Sequence, residues 1–320
     1  MYIYLDILPR FKCAMCGACC RREWLVTVDE AGYRRNGELF SRLGRDEEYR
    51  TAFLPLGDFA AAGEYAAIAK RPAGGCWFLK DNNLCRLQLA AGHEHLDGVC
   101  RLFPRYPMNT SRGVEITLSF SCPEVLRLIE RPEPLAVVRA EEPPTAVEAD
   151  SFTAEVFPGQ RPRYTPLFYY FELEHHFIDI VQSRGLPLAA RLRLLAGTAD
   201  ALSRLPPDES SGRAIDRIVA DNYARLDAAA TGGPPDRPPA EVLLEHFFVN
   251  LIFKKIFYLY GLERATLLLA EMWQRFAAAR GRAAGPADDL AITRAAVMAL
   301  EFEYCHDRQA LFRGRKAPGS

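Results

Sequence analysis

The sequence of 320 residues contains no apolar run suited to crossing a bilayer. Its most apolar stretch, residues 242–262, is interrupted by Glu245 and by the adjacent Lys254 and Lys255. Two neighbouring lysines near the middle of a span would be costly in lipid. The stretch is therefore predicted to be a buried helix of a soluble protein, without membrane insertion.

A secretory signal is not expected at the start of the sequence. Residues 1–12 contain neither a basic segment nor the long apolar segment that a signal peptide has. A cytoplasmic location is therefore expected, and in that compartment thiols stay reduced and disulfides are rare.

An excess of one charge is absent as well. The chain has 40 lysine and arginine residues against 41 aspartate and glutamate residues, which gives a net charge of −1. This balance argues against nucleic acid or an anionic membrane as the main partner. The sequence also lacks the glycine-rich strand–turn–helix opening that cradles common nucleotide cofactors.

What the sequence does have is an uneven distribution of nine cysteines. Eight lie in the first 122 residues, and the ninth is Cys305. The eight are Cys13, Cys16, Cys19, Cys20, Cys76, Cys85, Cys100 and Cys122. Thiolates suit soft or borderline metals, and dense cysteine spacing in a non-secreted chain indicates a metal site. All eight are predicted metal ligands, enough for two four-thiolate sites or for one site with spare thiols.

The spacing of the first cysteines favours an iron–sulfur cluster. Cys13, Cys16 and Cys19 follow the C-x2-C-x2-C pattern of bacterial ferredoxins. Such a run normally ends in Cys-Pro, and the only Cys-Pro pair here begins at Cys122, so a fourth ligand from far along the chain is compatible with the pattern. Cys20 adjoins Cys19, and neighbouring side chains of an extended segment point to opposite faces. Either the backbone turns sharply there, or the two cysteines serve different centres, or one is structural.

Structural zinc is the main alternative. Such a site commonly uses two C-x2–4-C knuckles, and only the segment 13–19 has that spacing. His93 and His95 lie between Cys85 and Cys100 and could complete a mixed site, although solvent-facing histidines of a short helix are more common. By spacing alone, iron–sulfur is favoured over zinc.

Composition divides the chain, and the expected fold class is α+β. Residues 1–130 hold the eight cysteines and short β-branched runs such as 114–118, which predict an irregular metal-binding domain with short strands and few long helices. A Pro-rich linker is expected at 131–164. Apolar residues at helical spacing predict a helical bundle over 165–312, against which the first domain packs, and residues 313–320 are expected to be a disordered tail.

Individual helices of the bundle follow from periodicity and from proline and glycine positions. Helices are predicted at about 168–182, from Pro187 onward, and over 240–260, 263–279 and 287–304. The segment Glu172–His176 has acids and histidines at the spacing of metal-binding or proton-transfer pairs. An inter-helix polar contact is the more common role of such a segment.

Motifs around the later cysteines resemble those of a known protein family. They are Gly75–Leu79, Asn83–Gln88 and Val99–Arg105, together with Cys13–Cys20 and Ser119–Val125. In this order they resemble the flagellin lysine-N-methylase family. That family belongs to a broader group of CxxCxxCC cysteine-cluster proteins, described as zinc- or iron-chelating. Glu245–Lys254 looks like the family's central helix, so the resemblance covers most of the chain.

The resemblance implies protein-lysine N-methylation with S-adenosylmethionine as the methyl donor. It also implies a protein substrate, flagellin or another surface-exposed lysine-bearing protein, and an iron–sulfur cluster, 4Fe–4S, on some of the eight cysteines. Arg101 and Arg105 are candidate cofactor-binding residues, because their fork-shaped guanidinium groups suit the donor's carboxylate or the charge of a cluster.

Two further observations limit this interpretation. The C-x3-C-x2-C spacing of radical enzymes that use this donor is absent, and no residue of the sequence is identified as catalytic. A non-catalytic iron–sulfur or zinc protein, acting in metal binding or electron transfer, is therefore the alternative.

Overall fold

The computed structural model describes residues 1–61, 63–145, 154–230 and 237–306. The described chain combines many helices with two small sheets, so the predicted α+β class is confirmed. It divides into two compact units. The helical unit comprises Met1–Phe11, Tyr106–Ser121 and Val125–Phe302; the cysteine unit comprises Lys12–Arg105, Cys122–Glu124 and the chain from Glu303.

Strands and helices alternate early in the chain, and helices dominate later. The strands are β1 (Tyr2–Leu5), β2 (Thr27–Val28), β3 (Phe53–Pro55), β4 (Ala66–Ile68), β5 (Arg105–Thr110), β6 (Gly113–Leu118), β7 (Val137–Ala140) and β8 (Glu155–Val156). The α-helices are α1 (Ala18–Arg21), α2 (Glu30–Arg42), α3 (Asp46–Ala52), α4 (Arg86–Ala91), α5 (Gly98–Leu102), α6 (Pro123–Ile129), α7 (Tyr170–Gln182), α8 (Leu188–Ser203), α9 (Ser210–Ala230), α10 (Pro239–Phe253), α11 (Ile256–Tyr260), α12 (Leu262–Arg280) and α13 (Pro286–His306).

The helical unit contains a five-stranded sheet in the order β7-β1-β6-β5-β8. Tyr2 of β1 lies opposite Val114 of the parallel β6 and opposite Ala140 of the antiparallel β7. This pairing, distant in sequence, places the start of the chain in the helical unit. The observed division therefore differs from the predicted boundary at residue 130. The segment predicted as a linker, 131–164, contributes β7 and β8 to the sheet, and the predicted tail 313–320 lies outside the described residues.

The central helix of this unit is α10. Every side chain from Val242 to Phe253 is buried, which confirms the prediction of a buried helix. The prediction of one helix over 240–260 is wrong, because Lys255 adopts a left-handed conformation (φ 65°) that separates α10 from α11. No helix within the described residues is long and apolar enough to span a membrane.

The other predicted helices of the unit are observed close to their expected positions, whereas α6 and α9 were not predicted. The segment from 168 forms a short 3-10 turn, Pro166–Tyr169, followed by α7. Pro187 lies at the N-cap of α8, where its fixed φ suits a helix start. The predicted helices 263–279 and 287–304 are α12 and α13, each slightly longer than expected.

The cysteine unit has a three-stranded antiparallel sheet in the order β2-β4-β3. Helix α2 packs beside it, and its N terminus is capped by Asp29, whose carboxylate accepts a hydrogen bond from the Gly32 backbone at 2.6 Å. Phe40, Phe53 and Phe78 form the centre of a buried apolar core. Aromatic packing, with ring centroids of Phe53 and Phe78 5.5 Å apart, gives this small unit its own interior.

Candidate functional site

The first cysteine segment ends in a single turn of helix. Cys13 and Cys16 are exposed on an irregular loop, and the short helix α1 contains Cys19 and Cys20. Gly17 caps this helix in a left-handed conformation (φ 67°). A β-carbon there would lie 3.1–3.2 Å from the Leu79 side chain and from Asn83, so glycine permits both the backbone turn and the close approach.

The adjacent pair Cys19 and Cys20 is brought together by this turn. Their Sγ atoms lie 3.8 Å apart. The hydrogen bond from the Cys20 thiol stabilises the Cys19 thiolate and lowers the pKa of Cys19 to about 7, while the same bond raises the pKa of Cys20. Of the possibilities left open by the sequence, the sharp backbone turn is the one observed.

Backbone contacts position two later cysteines, and one of them is bonded directly to α1. The Cys76 amide donates to the Cys20 carbonyl oxygen at 2.7 Å. Cys76 pairs with Lys70 in an isolated antiparallel bridge, and Cys85 pairs likewise with Leu79. These bridges come from two tight turns, so the positions of Cys76 and Cys85 are set by the backbone rather than by side-chain packing alone.

Five thiols lie close enough to influence one another's ionisation. We call them the five-thiol cluster: Cys19, Cys20, Cys76, Cys85 and Cys100. Burial is the main cause of the raised pKa of Cys76, Cys85 and Cys100, and negative charge on neighbouring thiols of the cluster raises each pKa further. Within the described ranges, no three cysteine, histidine, aspartate or glutamate side chains are arranged to hold a metal ion. All five cysteines of the cluster are free thiols.

The other predicted ligands lie elsewhere in the cysteine unit. Negative charge on Cys13 acts to raise the pKa of Arg105. The Cys16 carbonyl oxygen accepts a hydrogen bond from the Arg21 side chain at 2.9 Å. Cys122 is buried and belongs to the cysteine unit through the short segment 122–124. Of the two histidines considered for a mixed site, His93 is exposed and the ring of His95 lies 3.3 Å from the side-chain oxygen of Asn36.

The two candidate cofactor-binding arginines have different neighbours. Arg101 lies in the last turn of α5, where its positive charge acts to lower the pKa of Asp97. Burial lowers the pKa of Arg105, and the charge of Cys13 opposes that shift. Each arginine is therefore linked electrostatically to an acidic group or a cysteine within the cysteine unit.

Asp97, which the sequence did not single out, is the most unusual carboxylate of this unit. It is only 3% exposed, and neither carboxylate oxygen has a hydrogen-bond partner in the described part of the chain. Burial raises its pKa to about 7, although Arg35 and Arg101 act in the opposite direction. A β-carbon on Gly32 would lie 2.8 Å from Asp97 Oδ1, so glycine makes room for the carboxylate.

In the helical unit, the segment Glu172–His176 divides between two faces of α7. Glu172 and His175 are exposed, whereas Glu174 and His176 are buried. The ring of His176 lies 3.0 Å from the Asn222 side-chain nitrogen on α9. This is an inter-helix polar contact, the more common arrangement for such a segment.

Glu174 belongs to a buried ion cluster. Lys255 Nζ donates to Glu174 at 2.5 Å and to Glu115 at 2.6 Å. Arg112 donates to both carboxylates at 2.8–2.9 Å and lies over the Phe171 ring, 3.7 Å from its centroid. Two cations thus balance two carboxylates, and the left-handed turn at Lys255 directs the ammonium group to them.

Comparison with known proteins gives a limited set of relatives. No family model matches the sequence, and no solved structure matches it. A lysine-N-methylase of Salmonella typhimurium is 28% identical to the chain over 166 residues, which is 48% of this chain and 38% of that protein. A lysine-N-methylase of Salmonella choleraesuis is 33% identical over 89 residues, 28% of this chain and 21% of that protein. The chain thus spans less than half the length of these two relatives.

A third relative is matched over most of its length. The flagellar biosynthetic protein FliU of Salmonella muenchen is 35% identical to the chain over 135 residues, which is 41% of this chain and 78% of that protein. The chain therefore belongs to the family of the flagellar biosynthetic protein FliU.

Proposed function

We propose that the protein is a protein-lysine N-methyltransferase that uses S-adenosylmethionine and acts on flagellin or another protein with surface-exposed lysines. The observation that carries this proposal is the similarity to two proteins named lysine-N-methylase. The flagellar name of the third relative supports flagellin as the substrate to test first. The reaction requires the donor methyl group and a deprotonated lysine amine held at near-attack distance.

We further propose that the five-thiol cluster holds a metal centre. Its donor chemistry fits, because five free thiols gather in a partly buried setting that raises the pKa of every member except Cys19, and a soft cation would stabilise their thiolates. Iron–sulfur is the proposed centre, as the resemblance to the lysine-N-methylase family implies, with zinc as the alternative; of the three C-x2-C-x2-C cysteines, only Cys19 belongs to the five-thiol cluster. An iron–sulfur cluster would supply redox-active iron, whereas zinc would brace the fold.

The reaction is tested with protein purified without oxygen. Flagellin is incubated with the protein and S-adenosylmethionine, and its intact mass is compared with that after incubation without the donor. A mass increase corresponding to added methyl groups supports the proposal. Bound metal without any mass increase on flagellin favours the non-catalytic metal-binding or electron-transfer alternative.

A further inference from the structure

A cleft in the cysteine unit lies beside two members of the five-thiol cluster. Its volume is about 970 Å³, and it is open to solvent. The residues that matter for its chemistry are Arg71, Trp77, Leu79, Lys80, Asp81 and Arg86. Trp77 directly follows Cys76 in the chain, and Arg86 directly follows Cys85.

Two hydrogen-bonded turns form the walls of this cleft. In the first, the Arg71 amide donates to the Gly75 carbonyl oxygen and the Gly74 amide donates to the Arg71 carbonyl oxygen, both at 2.9 Å. In the second, the Lys80 amide donates to the Leu84 carbonyl oxygen at 2.9 Å, and the Asn83 amide donates to the Lys80 carbonyl oxygen at 3.0 Å. The same backbone bridges that position Cys76 and Cys85 therefore shape the cleft.

The cleft has a positive lining. Three cations line it against one acid, Asp81, which is fully exposed and 3.9 Å from Arg71. Arg86 forms a salt bridge of 2.5 Å with Glu48, which does not line the cleft. Lys80 is exposed, and no acidic partner for it is found among the described residues. A positive charge therefore remains available in the cleft for an incoming anion.

Trp77 adds a flat apolar surface to the lining. Its Nε1 atom is shielded from solvent, so the indole offers a ligand in the open cleft apolar contact rather than a hydrogen-bond donor. Tryptophan and arginine are also the residue types most enriched at the centres of protein interfaces.

We propose that this cleft docks an acidic segment of the protein substrate; the identity of that partner rests on the proposed function. Carboxylates of the segment bind Lys80 and Arg71, and the chain lies along the indole ring of Trp77. An extended peptide suits this open shape better than a small molecule does, because small-molecule sites enclose most of their ligand. Docking at this place holds the substrate beside the five-thiol cluster.

Binding is tested with a synthetic peptide of alternating glutamate and serine, followed by calorimetry and by tryptophan fluorescence. Lys80→Glu is expected to weaken binding about tenfold or more, as for the loss of a charge-assisted contact. The matched control Arg42→Glu reverses an exposed cation of α2 outside the cleft and leaves binding unchanged. Trp77→Phe removes the fluorescence change, whereas Trp273→Phe in the helical unit keeps it. A peptide of alternating lysine and serine should not bind.

Equal binding of the acidic peptide to the wild type and to Lys80→Glu, or no binding to either, overturns the proposal. Binding of a free nucleotide in place of the peptide overturns it too, and identifies a small-anion site. Circular dichroism confirms that each variant is folded, and Lys80→Arg, which keeps the charge, is expected to restore binding.

Methylation assays separate this inference from the proposed function. If flagellin is methylated, Lys80→Glu should raise KM for flagellin and leave kcat unchanged, because it removes only docking. Methylation with an unchanged KM refutes the docking site alone. Peptide binding that depends on Lys80 and Trp77, without any methylation, refutes the methyltransferase proposal and keeps the docking site.

Discussion

The Sγ atoms of Cys19 and Cys20 lie 3.8 Å apart. In an extended segment these neighbouring side chains would instead point to opposite faces. One turn of helix after Gly17 produces this approach, and it gives Cys19 a pKa of about 7. An acidic thiol beside the four other thiols of the five-thiol cluster is well suited to bind a soft cation near neutral pH. The five-thiol cluster therefore provides a direct test of the proposed metal centre.

Removing one thiol of the cluster should reduce metal binding. We expect Cys85→Ser to lower the iron or zinc content per chain by at least half, because a soft metal loses a thiolate ligand. Cys305→Ser is the matched control, since Cys305 lies outside the cluster and is predicted not to be a ligand. Metal content is measured by elemental analysis after purification without oxygen, and an absorption band in the blue identifies iron–sulfur. Unchanged metal content in Cys85→Ser would contradict the assignment.

Asp97 should make the stability of the metal-free protein depend on pH. Its pKa is about 7 in the folded protein, against about 3.9 for an unperturbed aspartate. Between these values the folded state binds more protons than the unfolded state, so this carboxylate lowers the free energy of unfolding as pH rises from about 4 to about 7. Asp97→Asn removes the titration and is expected to stabilise the protein at pH 8 by up to about 4 kcal/mol, relative to its effect at pH 4.

Urea unfolding of the wild type and of Asp97→Asn across this pH range measures the difference. The matched control is Asp81→Asn, which neutralises a fully exposed carboxylate of the same unit. Parallel pH profiles for the wild type and Asp97→Asn would show that Asp97 is not protonated in the fold.

The buried ion cluster of the helical unit should be sensitive to the loss of one charge. Lys255→Met leaves Glu115 and Glu174 facing each other with only Arg112 to balance them. Removing one partner of a buried pair typically costs about 3–5 kcal/mol of unfolding free energy. Arg204→Ala, which breaks an exposed i,i+4 pair with Asp200, should cost less than about 0.5 kcal/mol. Equal midpoints of urea unfolding for the two variants would contradict this account.

Local features of the sequence predicted most of the long helices of the helical unit, α9 being the exception. Pro187 and Gly261 mark helix boundaries through backbone conformations that need no distant contact. The pairing of Tyr2 with Val114 could not be predicted in this way, because it depends on two segments far apart in sequence. The helix break at Lys255 could not be predicted locally either, because Lys255 binds Glu115 and Glu174, which are distant from it in sequence.

The candidate site was predictable in composition but not in arrangement. Spacing identified the eight cysteines, and the structure gathers five of them through the turn after Gly17 and the two backbone bridges. Nothing in the sequence indicated which five these would be. No feature of the sequence indicated that Asp97 is unusual, because an aspartate before a glycine is common. Only its burial and its carboxylate oxygens without hydrogen-bond partners distinguish it among the described residues.

The most direct test of the account follows the methyl group itself. Protein purified without oxygen is incubated with flagellin and S-adenosylmethionine whose methyl group is isotopically labelled, and flagellin peptides are then sequenced by mass spectrometry. We expect the label on the side-chain nitrogen of flagellin lysines, and we expect it to be lost when Cys85→Ser replaces the wild type. Flagellin that stays unlabelled with fully metal-loaded wild-type protein would contradict the account.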